Sequence, residues 1–233
     1  MGDETFAGFP EGTFDFLRGL TKNNSKAWFD AHRDDYDRFY IAPARALVDA
    51  LGPRLKKISP TVAYEPRVNG SIFRINRDVR FSKDKTPYKN HIDLWFWHGE
   101  RGGWNSPGFF FRLTADRLIL GAGMHRLEKA QLDAFRAAVV DQRAGAALAR
   151  VIDKVRAAGP YVIGGASRKN APRGFDAAHA RAALLLHEGL WAERDSRPDK
   201  SIGSAAFVEY CAAEFAAMWP VGEWLLETVV AEG

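Results

Sequence analysis

HIDLWFWH, residues 91–98, is the stretch that decides the fold. Its β-branched and aromatic residues are typical of strands. Ile92, Leu94 and Phe96 alternate with Asp93 and two tryptophans, and this period of two predicts a strand with one face on the core. His91 and His98 bracket the stretch and are seven residues apart, so they are expected to point to opposite faces.

Two more apolar stretches follow, GFFFRLT (108–114) and RLILGAG (117–123). Only Ala115 and Asp116 separate them, and such a short gap predicts an antiparallel hairpin. The connection GERGGWNSPG (99–108) is glycine-rich and matches neither a Walker loop nor a dinucleotide-binding fingerprint. Upstream, SIFRI (71–75) carries the same kind of residues, so the predicted strand block runs from about residue 62 to 122.

Helical periodicity precedes this block. A first helix is predicted near Thr13, with Phe14, Leu17 and Leu20 on one face. Ser25 is predicted to cap a second helix. Pro43 suits the first turn of a third helix.

Helical periodicity also follows the strand block. Helices are predicted to begin at Leu127, at Ser204 and at Pro220, and another to occupy residues 146–157. Asp176 is predicted to cap a helix formed by AAHARAALLLHEG, and YVIGG (161–165) is predicted as an edge strand. Helices, then antiparallel strands, then helices indicate an α+β fold. No linker divides the chain, so we predict one domain over residues 1–233, with a central antiparallel sheet flanked by N-terminal and C-terminal helices.

Composition excludes several classes of protein. The chain has 233 residues, of which 46% are hydrophobic and 27% charged, as in ordinary globular proteins. No run approaches the roughly 18 apolar residues of a membrane span, so no membrane partner is expected. The first residues lack the pattern of a secretory signal, and Cys211 is the only cysteine. Together these features predict a protein of the reducing cytoplasm.

The positive charge is concentrated in one segment that includes FRINRDVRFSKDKTPYKNH (73–91). From Arg67 to His91 there are seven lysines and arginines and two aspartates, whereas the formal charge of the whole chain is only +4. Arginine suits phosphate or carboxylate because of its planar fork, and lysine acts as a point charge. The candidate ligand-binding residues are Arg74, Arg77, Arg80, Lys83, Lys85 and Lys89.

Three functions fit this segment. The first is binding of a phosphate-bearing ligand, such as a nucleotide or a nucleic acid, with Tyr88, Trp95, Trp97 and Trp104 available to stack on a base. The second is an enzyme acting on phosphoesters or esters, with Asp78 or Asp84 as base, Arg77 or Arg80 stabilising negative charge, and Tyr88 or His91 as proton donor. The third is a structural or protein-interaction domain with no small ligand.

A fourth interpretation gives the segment no ligand at all. In a solvated loop, Asp78 and Asp84, with Glu65 or Asp93 elsewhere, would pair with the cations. Such surface pairs contribute about 0 to 1 kcal/mol and need no functional role. If residues 82–87 form a turn, Arg80 and Lys89 approach each other across its mouth and repel unless carboxylates or an anion lie between them.

Other motifs carry little information. The six histidines form no metal-binding pattern, so neither a metal nor a cofactor is predicted. A second basic loop, with Arg168, Lys169 and Arg173, is either a solvated connection or a second wall of the same anion site. The sequence does not predict an oligomeric state.

Four motifs resemble a known family. They are GFPEGTFDFLRGLTKNNSKAWFDAHRDDY (8–36), FRINRDVRFSKDKTPYKNH (73–91), GAGMHRLEKAQLDAFR (121–136) and PRGFDAAH (172–179). Together they resemble the bacterial and fungal family named domain of unknown function 2461, from about Phe6 to Leu226. The resemblance implies one compact α+β domain, and it brings no activity, substrate or catalytic residue to this chain.

Overall fold

A five-stranded antiparallel sheet forms the centre of the fold. The structure is a computed structural model and describes residues 5–99 and 106–230. The strands are β1 (Ile92–Trp97), β2 (Gly108–Leu113), β3 (Leu118–Met124), β4 (Val162–Ala166) and β5 (His187–Ser196). Their order across the sheet is β1-β2-β3-β5-β4. The strands predicted at HIDLWFWH, GFFFRLT and RLILGAG are therefore confirmed. YVIGG forms an edge strand, as predicted.

The predicted tight hairpin joins β2 to β3. Leu113 pairs with Leu118, and the Thr114 hydroxyl accepts a hydrogen bond from the Arg117 amide at 2.8 Å. On the outer side of β5, the pairing of β4 shifts register between Gly164 and Ala166. This bulge lies at the edge of the sheet, where bulges are common.

The two faces of the sheet differ. Leu94, Phe96, Phe109 and Phe111 are fully buried on one face. There Phe109 meets Phe215 edge to face with ring centroids 5.3 Å apart, as Phe111 does with Phe207 at 6.2 Å. Burial of one such side chain stabilises a fold by roughly 1.5–3 kcal/mol. The opposite face carries the alternate residues, Asp93 and Trp95 among them.

Helices lie before and after the strand block, as the sequence predicts. They are α1 (Glu11–Lys22), α2 (Lys26–Ala31), α3 (Arg33–Asp35), α4 (Ala42–Ile58), α5 (Lys129–Val140), α6 (Gln142–Ala158), α7 (Phe207–Met218) and α8 (Pro220–Leu225). Short 3₁₀ segments occupy Ala182–Leu186 and Lys200–Gly203, and π-helical turns occupy Tyr36–Ile41 and Leu226–Val230. Apart from α3, these elements contribute side chains to one hydrophobic core or pack against it. In the described part of the chain, no helix combines the length and apolarity that crossing a membrane requires.

Local signals account for the N-terminal helices. Phe14, Leu17 and Leu20 are buried on one side of α1. The Ser25 hydroxyl accepts a hydrogen bond from the Trp28 amide, which is the predicted cap of α2. Pro43 lies in the first turn of α4, as predicted.

Two element predictions are wrong. Asp176 does not start a helix; its carboxylate accepts a hydrogen bond from the Ala178 amide in a turn, and the predicted helix ends up as the 3₁₀ segment and the start of β5. SIFRI does not form a regular strand of the sheet. It runs beside β1 with isolated hydrogen bonds, from Trp95 N to Ser71 O at 2.9 Å and from Phe73 N to Asp93 O at 3.1 Å.

Candidate functional site

The basic segment folds as a short hairpin beside β1. The Arg77 amide donates to Pro87 O and the Lys89 amide to Ile75 O, both at 2.8 Å. Asn76 and Tyr88 form an isolated antiparallel bridge. The hairpin turns at residues 79–85, where Phe81, Lys83, Asp84 and Lys85 are exposed.

Both acidic residues of the hairpin are paired with arginines, as the solvated-loop interpretation expects. Arg80 bonds Asp78 at 2.7 Å, and Arg77 bonds Asp84 at 2.5 Å. Hydrogen bonds from the Arg80 side chain lower the pKa of Asp78 to about 2. A hydrogen bond from the Thr86 amide, followed by one from Arg77, lowers the pKa of Asp84 to about 2. Neither carboxylate is suited to act as a base near neutral pH.

Most of the candidate cations are exposed. Arg74, Arg80, Lys83 and Lys85 all have exposed side chains. Lys85 Nζ donates to Val79 O at 2.9 Å, which closes the turn. Tyr88 is buried and stacks on Phe29 with centroids 4.3 Å apart, so its ring holds the hairpin to α2.

Arg77 and Lys89 are different, because they line a groove. This groove, of about 630 Å³, crosses the sheet face opposite the buried phenylalanines. Of the weak catalytic candidates, Asp78 and His91 also line it. The remaining walls come from β1, β2, β3, β5 and the neighbouring residues Phe73 and His125. They include the aromatic residues Trp95, Phe110 and Trp191, the glycines Gly108, Gly121 and Gly123, and the polar residues Asp93, Arg112 and Glu193.

Asp93 is the centre of the charged end of the groove. Its carboxylate accepts hydrogen bonds from Arg112 Nε at 2.7 Å and Nη2 at 3.0 Å. His91 Nε2 lies 3.2 Å and Lys89 Nζ 3.8 Å from its Oδ2. Burial raises the pKa of Asp93, but hydrogen bonds from His91 and Arg112 outweigh burial and bring the pKa below its ordinary value.

Lys89 is held in a partly desolvated position. Its side chain is 19% exposed, and its ammonium group lies 4.9 Å from the centroid of the Phe73 ring. Burial lowers the pKa of Lys89, and the attraction of Asp93 only partly opposes this effect. The site therefore disfavours the charged form of the Lys89 ammonium group relative to water.

A π-helical turn contacts the backbone at this end of the groove. Tyr40, in the turn Tyr36–Ile41, is fully buried, and its hydroxyl donates to His91 O at 2.9 Å. Burial raises the pKa of Tyr40 well above its ordinary value, so the hydroxyl remains a donor. The two ring nitrogens of His91 face oxygen atoms of Asn90 and Asp93, so the ring is engaged on both sides.

Aromatic residues form the other end of the groove. Trp191 Nε1 donates to a Glu193 carboxylate oxygen at 2.8 Å. The ring of His125 lies 4.8 Å from that of Trp191, centroid to centroid. Of the tryptophans proposed to stack on a base, Trp95 lines the groove, Trp97 is buried, and Trp104 lies outside the described residues.

The second basic loop bonds Glu188 and does not contribute to the described lining of the groove. Arg168 lies 3.4 Å from Glu188, and the Ser167 hydroxyl donates to the same carboxylate at 2.6 Å. Among the residues described, those lining the groove include none from 167–175. His98 lies on the helical side of the sheet, where it stacks on Trp219 with centroids 4.9 Å apart.

The sequence prediction missed most of the residues that line the groove. Arg112, His125, Trp191 and Glu193 were not among the candidates. One signal was available: Asp93 and Arg112 are the charged residues in two apolar strand stretches, and in a hairpin such residues commonly pair across strands. For His125 and Trp191 the chain offers no comparable signal, because both depend on where β5 inserts in the sheet.

Metal binding finds no support in the part of the chain described. No group of three or more His, Cys, Asp or Glu side chains there could hold a metal ion. The groove instead gathers cations around one carboxylate at one end and aromatic rings at the other.

These features define the class: a single-domain α+β protein with a charged and aromatic groove across the open face of an antiparallel sheet. The chain belongs to the family described as conserved hypothetical protein, domain of unknown function 2461, whose profile matches residues 12–224. The family resemblance seen in the four motifs is thereby confirmed. A comparison with curated proteins gives no match.

Proposed function

We propose that this protein binds a small phosphate-bearing ligand in the groove, through Lys89, Arg77 and Arg112. The observation that carries the proposal is that Lys89, His91 and Arg112 all surround the single carboxylate of Asp93. An anion in front of this cluster would complete its charge balance. Part of the basic segment therefore contributes to the site, and the rest of the segment folds its hairpin.

The distribution of charge supports this proposal. Counted over the whole lining, Arg77, Lys89 and Arg112 are balanced by Asp78, Asp93 and Glu193. However, the Asp78 carboxylate bonds Arg80, which does not line the groove, and Glu193 bonds Trp191 at the far end. At the Asp93 end, Lys89 and Arg112 thus share one carboxylate, which leaves a local positive excess.

The environment of Lys89 points the same way. Its ammonium group lies 3.8 Å from Asp93 Oδ2, too far for a good hydrogen bond. Charge-assisted hydrogen bonds to a phosphate would supply the partner that this desolvated cation lacks at short range. Binding would therefore relieve an unfavourable feature of the free protein.

The size of the groove favours a small ligand over a nucleic acid. Sites for small molecules have volumes of about 300–1,000 Å³ and combine apolar walls with a few polar groups. This groove fits that description. The exposed cations Arg74, Arg80, Lys83 and Lys85 spread over the outside of the hairpin. A long polyanion would need these outer residues, whereas a ligand in the groove does not.

The other two hypotheses receive less support. For the enzyme hypothesis, Asp78 and Asp84 have pKa values of about 2, and Tyr88 is buried against Phe29. For the protein-interaction hypothesis, the large apolar side chains exposed in the described residues are Phe81 and Val162, which lie on separate elements and form no broad patch. The proposal includes the cytoplasmic location, which the single buried Cys211 favours.

Calorimetric titration with inorganic pyrophosphate tests the proposal. We expect saturable binding by the wild type and a loss of about tenfold or more in affinity for Lys89→Gln and Arg77→Gln, since charged hydrogen bonds contribute about 1.5–3 kcal/mol each. Lys57→Gln, on the exposed side of α4, is the matched control and should bind like the wild type.

Two results would contradict the proposal. One is that the wild type binds neither pyrophosphate nor a nucleotide saturably. The other is that Lys83→Gln, at the exposed tip of the hairpin, weakens binding as strongly as Lys89→Gln. That second result would move the anion to the outer surface and away from the groove.

A further inference from the structure

Three glycines contribute to the middle of the groove floor. Gly108 on β2 pairs with Gly123 on β3, and Gly121 on β3 pairs with Phe110 on β2. All three glycines line the groove. At these positions other sheets carry side chains. The Trp95 ring takes that space over Gly108, whereas at Gly121 a Cβ atom would meet, among the described residues, only Ala192 O and the Cβ of Glu193 within 4 Å.

Two of these glycines are required by the fold itself. A Cβ atom at Gly108 would lie 2.3 Å from Phe96 O, and one at Gly123 would lie 2.4 Å from Leu190 O. Gly123 also has a φ of +136°, a backbone conformation that favours glycine. Their lack of a side chain therefore has a structural reason.

Gly121 has no such reason. A Cβ atom there would meet Ala192 O at 3.3 Å and the Cβ of Glu193 at 3.7 Å, contacts that a shift of a few tenths of an ångström would accommodate. Above that position lies the open volume of the groove. Of the three floor glycines, Gly121 is thus the one where an added side chain would meet no atom of the described residues closer than 3.3 Å and would enter the groove.

Two indole rings border this floor. Trp95 on β1 lies over Gly108, and Trp191 on β5 lies over Gly164 and is fixed by its hydrogen bond to Glu193. Three strand spacings separate β1 from β5, which corresponds to about 14 Å. That width accommodates a flat ring on the floor. In register, Phe110 on β2 and Glu193 on β5 flank Gly121, and the two indole rings lie one row further along the strands, in the row of Gly123.

We infer that the glycine floor between Trp95 and Trp191 is a subsite for a planar heteroaromatic ring, and that the phosphate-bearing ligand is a mononucleotide. The inference rests on the proposed function, and it adds the ligand class. The base lies on Gly121, and the phosphate reaches the cluster around Asp93. Arg112 and Phe110 are two residues apart on β2, a distance of about 7 Å, which a nucleoside monophosphate spans.

The wild type alone provides the first test. Adenosine 5′-monophosphate and ribose 5-phosphate share the sugar and the phosphate and differ in the base. We expect the nucleotide to bind about tenfold tighter or better, because the base buries apolar surface against the floor and its bordering rings that ribose 5-phosphate cannot bury. Equal affinities for the two ligands would overturn the ring subsite.

A steric block provides the second test. Gly121→Leu should reduce the affinity for adenosine 5′-monophosphate to about that for ribose 5-phosphate and leave pyrophosphate binding intact. Gly203→Leu is the matched control, because a Cβ atom there would meet only Phe9 O, at 3.9 Å, and its nucleotide binding should not change. Unchanged nucleotide affinity in a folded Gly121→Leu variant would also overturn the subsite.

Pyrophosphate separates the two proposals. If the wild type binds pyrophosphate without preferring the nucleotide over ribose 5-phosphate, the ring subsite fails and the anion site stands. If it binds none of the three ligands, the proposed function fails and the ring subsite with it. If Gly121→Leu does not fold, the comparison of nucleotide and sugar phosphate in the wild type decides alone.

Discussion

Arg112 on β2 holds both carboxylate oxygens of Asp93 on β1, from Nε at 2.7 Å and from Nη2 at 3.0 Å. This bidentate pair crosses neighbouring strands in register and lies with the Asp93 side chain only 5% exposed. It fixes the position of the carboxylate around which Lys89 and His91 gather. The stability of the fold and the charge of the groove therefore depend on the same two residues.

Replacing Asp93 should destabilise the protein. Asp93→Asn removes the charge that compensates Arg112 and Lys89, and loss of one partner of a buried pair costs about 3–5 kcal/mol. We expect about 2–4 kcal/mol here, because the Arg112 side chain is 35% exposed and the amide oxygen can still accept a bond. Denaturant unfolding measures the change. Asp78→Asn is the matched control and should unfold like the wild type; equal effects of the two substitutions would contradict the prediction.

Acid should remove the stabilisation that Asp93 provides. The folded pKa of Asp93 lies below its ordinary value, so its contribution is present above the unfolded pKa of about 3.9 and is lost as the pH falls through the folded pKa. The difference in unfolding free energy between the wild type and Asp93→Asn should therefore shrink below about pH 4. Asp78 and Asp84 are present in both proteins, so their contributions to the pH dependence of stability cancel in this difference. A difference that stays constant down to pH 2 would rule out this origin.

The affinity for pyrophosphate should fall as the pH rises, and it should begin to fall at a lower pH than the ordinary pKa of lysine predicts. Burial lowers the pKa of Lys89, so its ammonium group loses its proton below the usual value of about 10.4. Lys89→Arg keeps its charge throughout this range. Both proteins are titrated with pyrophosphate between pH 7 and 10. The affinity of the wild type divided by that of Lys89→Arg should fall as the pH rises. A ratio independent of pH would show that Lys89 does not contact the anion.

Tyr88 should matter for stability and not for ligand binding. Tyr88→Phe keeps the stacked pair with Phe29 and should bind pyrophosphate like the wild type. Tyr88→Ala should lower the unfolding free energy by about 3–5 kcal/mol, as removal of a buried aromatic ring usually does. Thermal melting and calorimetry measure the two effects. If a folded Tyr88→Phe variant lost pyrophosphate binding, the Tyr88 hydroxyl would have to be part of the binding site, which would contradict this prediction.

Periodicity predicted the elements whose signals are local. The strands at HIDLWFWH, GFFFRLT and RLILGAG, the cap at Ser25 and the proline turn at Pro43 depend on neighbouring residues, and all occur. β5 does not follow from local signals. Its first residues continue the apolar run ALLLH, which favours a helix, but pairing with β3 and β4 imposes an extended chain. The alternation in Leu190–Glu193, with Leu190 and Ala192 buried, was the available hint.

The groove was predictable only in part. Lys89 and Arg77 were candidates because the basic segment concentrates the charge of the chain, and Asp93 was considered as a partner for those cations. Arg112, Trp191 and Glu193 come from strands distant in sequence, and the sheet register brings them together. The separation of the hairpin cations into an inner and an outer set also follows from tertiary structure, since the sequence spacing does not distinguish Lys89 from Lys83.

β4 borders the sheet with only five residues, and Gly165 interrupts its pairing at a φ of +115°. An exposed strand edge is a template on which a second chain can add. The extra residue displaces the outward N–H and C=O groups from even spacing, so an incoming strand finds no continuous ladder. At the opposite edge, residues 71–73 already bond the backbone of β1. Both borders of the sheet are thus poor starting points for aggregation while the chain folds.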